Sequence, residues 1–275
     1  MRVKKRLQSL AFHVIATAIA LVIMIPFFWM IITSLKDSGA LLIVPVEWIP
    51  REPTLQAYKD VFTLFPFGRA IGNSLFISIS STAISLLSAS MAAFAFSKLN
   101  FKGRETLFKL YLATMIIPFQ VMIIPRFVVM KELGLPDKYL GLILPQIFNA
   151  FALFLLRQQM QTISSDYMDA AVIDGASNWR VFFSVIIPLS SGTLATLALL
   201  TFMGEWNSYL WPLIMISSKE KMTLPIALGK LNGQYHSDYN LLMAGSLISM
   251  IPIIIIYMFG QRYMKSGLQM GGVKG

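Results

Sequence analysis

Cysteine is absent from the 275-residue chain, and histidine occurs only as His13 and His236. Without cysteine there are no disulfides, thiolate metal sites or cysteine nucleophiles. Two imidazoles so far apart, one in an apolar run and one in a polar stretch, make no zinc-type ligand set, so no metal site is expected. Charge is scarce as well: Asp, Glu, Lys and Arg make up 13% of the residues, against about a quarter in a soluble globular protein. Phosphate-cradling GxxxxGK[ST] loops are missing, since Gly229 and Lys230 are followed by Leu231 and lack the upstream glycine. No GxSxG elbow, HExxH pair or catalytic-looking pair of carboxylates occurs. A membrane enzyme has no chemistry to work with here, and any ATP hydrolysis has to come from another chain.

What remains is apolar: 56% of the residues are hydrophobic, and the mean hydropathy is +0.67. Six runs, roughly 8–33, 71–96, 106–129, 139–157, 184–212 and 240–260, are each near the ~20 residues needed to cross a bilayer. The first is long and has no small-residue cleavage site, so it is expected to be a retained helix. Pro26, Pro118, Pro125, Pro145 and Pro252 fall inside the runs, and a membrane bundle tolerates the resulting kinks because neighbours satisfy the freed carbonyls. The expected fold class is an all-α membrane protein of six transmembrane helices, forming a single domain over 1–275.

The net charge of +10 does not point to nucleic acid, because the basic residues sit at the ends of apolar runs as topology signals. One side collects Arg2, Lys4, Lys5, Arg6, Lys98, Lys102, Arg104, Lys109, Arg157, Arg180, Arg262, Lys265 and Lys274. The excess of Lys and Arg puts both termini in the cytoplasm. The loop at about 34–70 is then outside. Its "PREPTLQAYKDVF" segment is expected to hold a short helix started at Pro53 and Thr54, with Leu55, Tyr58 and Phe62 on one face; a plain connector and a docking role both stay open. Ser74, Ser78, Ser80, Ser81, Ser85, Ser88 and Ser90 in the second run are expected to form a close-packing face.

A polar interruption at about 158–183 falls on the cytoplasmic side between the fourth and fifth runs. In "MDAAVIDGASNWRVFFSVIIPLS" (168–190), Asp166 just upstream is expected to cap a short helix, with Asp169 in the capping-box position. Gly175 would end that helix, with Ala170 and Ala171 leaving one side of it smooth. Ser177 would cap a second helix running through Trp179 and Phe183 toward Pro188. In the fifth run Glu205, Ser208 and Tyr209 would share a helical face. Trp206, Asn207 and Tyr209 add hydrogen-bonding groups and aromatic surface, which makes this stretch a candidate substrate pathway. The competing reading makes Trp206 and Trp211 interfacial anchors. Gln120, Gln146 and Asn149 are further pathway candidates.

Asp169, Ala170, Ala171, Gly175, Val185, Ile187 and Pro188 resemble the EAA loop of ABC importer permeases: Glu-Ala-Ala, three residues, Gly, nine residues, then Ile-x-Leu-Pro. Asp stands here for Glu, Val185 for Ile and Ile187 for Leu. "GEWNSYLWPLI" (204–214), "TLPIALG" (223–229) and the ending "GQRYMKSGLQMGGVKG" (260–275) are similar to the sugar branch, in particular the second permease subunit of maltose-type systems.

The resemblance implies a permease of an ATP-driven importer for a carbohydrate, an oligosaccharide by preference, in a bacterial cytoplasmic membrane. It implies that Asp169, Ala170, Ala171, Gly175, Arg180 and Pro188 couple the chain to a separate ATPase. Gly271, Gly272 and Lys274 in the tail would touch the ATPase as well. The implied partners are a second, non-identical permease, two nucleotide-binding subunits carrying ATP and Mg, and an extracytoplasmic sugar-binding protein. The alternatives are a permease for glycerol phosphate, an amino acid or a polyamine, and an ion-coupled secondary transporter.

Overall fold

The computed structural model describes residues 2–37, 48–64, 66–234 and 239–269, and every regular element among them is helical. Four helices are long and apolar enough to cross a membrane: 8–34, 67–98, 139–161 and 239–261. Two bent pairs, 104–116 with 119–132 and 178–189 with 191–206, bring the number to six if each counts as one span. The six apolar runs therefore lie where the sequence places them, but two of them are not straight rods.

The breaks lie beside prolines. Ile117 is extended (φ −78°, ψ 116°) and Pro118 follows it as the N-cap of α5 (Phe119–Glu132). A residue before proline is pushed out of the helical region by the pyrrolidine ring, and α4 (Arg104–Ala113) with its 3₁₀ extension meets α5 at 106°. Pro145 lies in a 3₁₀ turn after α6 (Tyr139–Ile143), and the chain restarts as α7 (Ala150–Gln161). Pro26, Pro125 and Pro252, in contrast, sit inside uninterrupted helices: α1 (Arg2–Ser34), α5 and the last described helix (Tyr239–Gln269).

The chain divides into two compact units, residues 1–67 with 227–251 and residues 68–226 with 252–275. In the first unit, α1 presents an almost wholly exposed apolar surface from Leu10 to Ile25. Its α2 (Gln56–Leu64) forms where the sequence indicates, with the Thr54 hydroxyl accepting from the Gln56 N–H (3.1 Å). The buried face of α2, however, is Ala57 and Val61; Leu55 and Phe62 are exposed. Tyr58 instead turns its hydroxyl to Ser34 (2.8 Å).

In the second unit, α3 (Phe67–Lys98) is the central post. Its serines hold neighbouring segments: Ser74 Oγ accepts from the Leu224 N–H, and Ser88 Oγ donates to the Ile147 carbonyl (2.6 Å) at the interruption before α7. Asn149 caps α7 by accepting from the Ala152 N–H (3.0 Å) and donates to Ser85 Oγ (3.0 Å). Hydroxyl bonds and small residues do this work because lipid supplies no hydrophobic drive between membrane helices. Toward the cytoplasmic end the core comprises Ala93 and Phe94 of α3, Phe108 of α4, Leu153, Leu156 and Met160 of α7, and Val181, Phe182 and Ile186.

Candidate coupling loop and pathway residues

The cytoplasmic interruption folds as two short helices on that core. α8 runs Asp166–Ile173. Asp166 is its first residue rather than its cap: Ser165 holds the cap position without a side-chain cap bond, and the Asp166 N–H itself donates to Ser164 Oγ (3.3 Å). The capping-box reading is corrected accordingly. The C-terminus behaves as its sequence indicates. Gly175 adopts φ +77°, its N–H donates to the Val172 carbonyl and the Ala176 N–H donates to the Ala171 carbonyl, both at 2.9 Å. This doubly bonded, left-handed ending favours glycine because a Cβ crowds the backbone at positive φ.

Ala170 and Ala171 do not form one smooth face. Consecutive helical residues point about 100° apart, so Ala170 is exposed with Asp169 while Ala171 packs on the core with Met168 and Ala176. The outward side of α8 is apolar at Tyr167, Val172 and Ile173, the last 85% exposed. Ser177 caps α9 (Asn178–Val181), accepting from the Arg180 N–H (3.4 Å). Trp179 and Phe183 stack at 6.2 Å and are both exposed, and Arg180 stands beside them in solvent.

The second helix is not regular up to Pro188. A π-helical turn occupies Phe182–Ile186, α10 (Ile187–Leu189) carries Pro188, and the path turns by 78° before α11 (Ser191–Trp206). Proline lacks the N–H that closes a helical turn and clashes with the carbonyl four residues back; the widened turn lies directly upstream. A cleft lined by Ala171, Asp174, Ala176, Arg180, Val181 and Ser184 separates α8 from this segment.

The second cluster of candidates is rearranged relative to expectation. α11 ends at Trp206 and α12 (Leu210–Met215) starts after Tyr209, so Glu205, Ser208 and Tyr209 do not lie on one continuous helix. Trp206 is 2% exposed and stacks on Phe202 (5.9 Å). Trp211 is 3% exposed and its Nε1–H donates to the Gly141 carbonyl (3.2 Å). Both indoles are core groups, which overturns the interfacial-anchor reading and removes Trp206 as an open sugar-stacking surface. Asn207 and Tyr209 are exposed, with Asn207 Nδ2 donating to the Met203 carbonyl (2.8 Å). Gln120 is exposed near the start of α5, Gln146 is half-buried, and Asn149 is occupied as a helix cap.

Arg126 joins this cluster, although the sequence reading does not single it out. It lies within α5, donates to the Pro145 carbonyl (3.3 Å), and holds its guanidinium over Trp211 (5.3 Å) and Phe119 (5.5 Å). It also interacts electrostatically with Glu205. A cation six residues before the end of one span and a lone carboxylate near the end of another were the available signal. Charges at membrane depth face one another or an aqueous cavity, not lipid. Gly271, Gly272 and Lys274 lie outside the described residues.

Comparison with known proteins agrees with this architecture. The chain is 37% identical over 260 residues to the arabinooligosaccharides transport system permease protein AraQ of Halalkalibacterium halodurans, covering 94% of this chain and 93% of the relative. It is 30% identical to the inner membrane ABC transporter permease protein YcjP of Escherichia coli, covering 99% of each. A bacterial ABC transporter of known crystal structure, involved in import of the acidic polysaccharide alginate, matches with a TM-score of 0.85 at 27% identity, covering 94% of this chain and 96% of that one. The model of the family described as binding-protein-dependent transport system inner membrane component matches residues 84–269. With its multi-pass helical fold, and with its α8–α9 loop mounted on the core, the chain belongs to that family: it is a permease component of an inner-membrane importer and not itself an ATPase.

Proposed function

We propose that the chain is one of two non-identical permeases in an importer for oligosaccharides, with an ATPase subunit seated on its α8–α9 loop and a second ATPase on the other permease. The names of the relatives, which concern arabinooligosaccharides and alginate, support the cargo class. The observation that carries the docking is the outward surface of the loop. Ile173, Val172, Tyr167, Trp179 and Phe183 are exposed beside Asp169 and Arg180, while Met168, Ala171 and Ala176 tie the same loop to the core. Exposed apolar and aromatic groups with a few charges at their edge are the composition of a protein interface.

ATP and Mg bind the partner subunits in this reading, with Gly271, Gly272 and Lys274, which lie outside the described residues, as further candidate contacts. The exposed apolar length of α1 supports a second permease alongside lipid. Glu205, Asn207 and Tyr209, with Arg126, line the chain's side of the pathway, and Gln120 lies farther along it. ATP-driven closure of the ATPase pair moves the loop, and differential affinity of the two permease states for sugar makes transport directional.

Co-purification tests the docking. Around Gly175 the space for a Cβ is open, so Gly175→Val acts through the left-handed backbone alone, at about 1–2 kcal/mol. Tagged wild type is expected to bring down an ATPase and a second permease. Gly175→Val and Ile173→Asp are expected to insert in the membrane, retain the second permease and lose most of the ATPase. Full ATPase recovery by both variants would sink the docking role.

A further inference from the structure

The loop transmits movement only if its base does not slip, and the described side chains include a tie at that base. Arg157 lies on α7, one turn before the helix ends at Gln161, and is 7% exposed. Its Nε–H donates to the Phe96 carbonyl at the end of α3 (3.1 Å), and its terminal nitrogen donates to Glu105 Oε1 at the start of α4 (2.6 Å). The guanidinium carbon lies 3.9 Å over the Phe108 ring. Two residues past α7, the Ile163 carbonyl accepts from Lys98 Nζ of α3 (2.5 Å). Three helix ends are thus joined by charge-assisted bonds immediately before the loop begins.

We propose that Arg157 is a positioning residue for energy coupling: it locks α3, α4 and the α7–α8 junction into one body, so that displacement of the loop by ATP is carried into the spans. This rests on the docking reading above. Apolar contacts are non-directional, so the Met168, Ala171 and Ala176 contacts hold the loop against the core without setting its register. The arginine of this pair is buried and the Glu105 carboxylate is half-exposed, so the pair adds little net stability; what it supplies is a fixed geometry between the helix ends. Arginine suits that role because its planar fork bonds two acceptors and stacks on a ring at once, which lysine does not reproduce.

The test uses the full complex in nanodiscs, with spin labels at Lys109→Cys on α4 and Asp174→Cys after α8. The chain has no cysteine of its own, so both labels are unique within it. In the parent, the distance between labels is expected to hold within about 2 Å between the nucleotide-free and ATP–vanadate states, the scale of ordinary helix adjustment. In Arg157→Ala the two states are expected to differ by roughly 5 Å, about one helical turn, while ATP hydrolysis continues. Arg157→Lys is expected to fall between, and it decides the matter alone should the alanine variant fail to assemble. An unchanged, narrow distance in both variants overturns the proposal, as does a parent distance that itself shifts with nucleotide. Absence of an ATPase from the parent complex strikes instead at the docking reading and takes this one with it.

Discussion

Asp137 shows how much one residue can hold at the outer end of the bundle. It adopts φ +55°, a region aspartate tolerates better than most residues. Its carboxylate accepts from the Ser217 and Ser218 N–H groups, the Ser218 hydroxyl and Lys221 Nζ, at 2.8 to 3.1 Å. The Lys221 ammonium also donates to its carbonyl (2.6 Å). The Ser218 N–H first, then the Ser218 hydroxyl and Lys221, hold the carboxyl well below the usual carboxylate range. A depressed folded-state pKa gives stability that is fully present above the unfolded value, near 4, and is lost as pH falls through the folded value. Asp137→Asn is therefore expected to lower thermal stability by a constant amount between about pH 5 and 8, with the difference shrinking below about pH 4. Melting curves of the purified complex check this, and a difference that grows on acidification would refute it. Gly141 makes a complementary point: a Cβ there would collide with the Leu135 carbonyl, so close approach of α6 to the chain just before it requires that the Cβ be absent.

At the scale of elements, the apolar runs and their flanking charges made the spans legible, because length and composition alone determine what crosses lipid. The left-handed ending at Gly175 and the Ser177 cap were legible too, because both are local chemistry. The break at Pro118 was not distinguishable from the uninterrupted helix at Pro125, since neighbouring helices decide which freed carbonyls are satisfied. Burial of Trp211 likewise depends on a tertiary partner, the Gly141 carbonyl, while the Trp206–Phe202 stack is a local pair on α11 that does not by itself reveal burial. Asn149 illustrates the same limit. Its polarity suggested a pathway contact, and both ends of its amide are engaged within the chain. Asn149→Ala is expected to cost about 1–2 kcal/mol, the range for losing a helix cap. Asn149→Ser, which keeps a capping oxygen, is expected to recover most of that in thermal unfolding. Equal losses for both variants would mean that the cap is not what the residue provides.

For the whole molecule, the central claim is that this permease moves sugar only as part of an ATP-driven assembly. Its own sequence offers no phosphate loop, and its family is defined by dependence on a binding protein. The most direct measurement is uptake of labelled arabinooligosaccharide and alginate oligosaccharide into vesicles holding the co-purified complex, with ATP on the ATPase side and the binding protein on the other. The account predicts accumulation of at least one of these sugars that requires both ATP and the binding protein and disappears when the ATPase is stripped. Sugar movement by this chain and its partner permease without ATP, at the rate of the full complex, would contradict it.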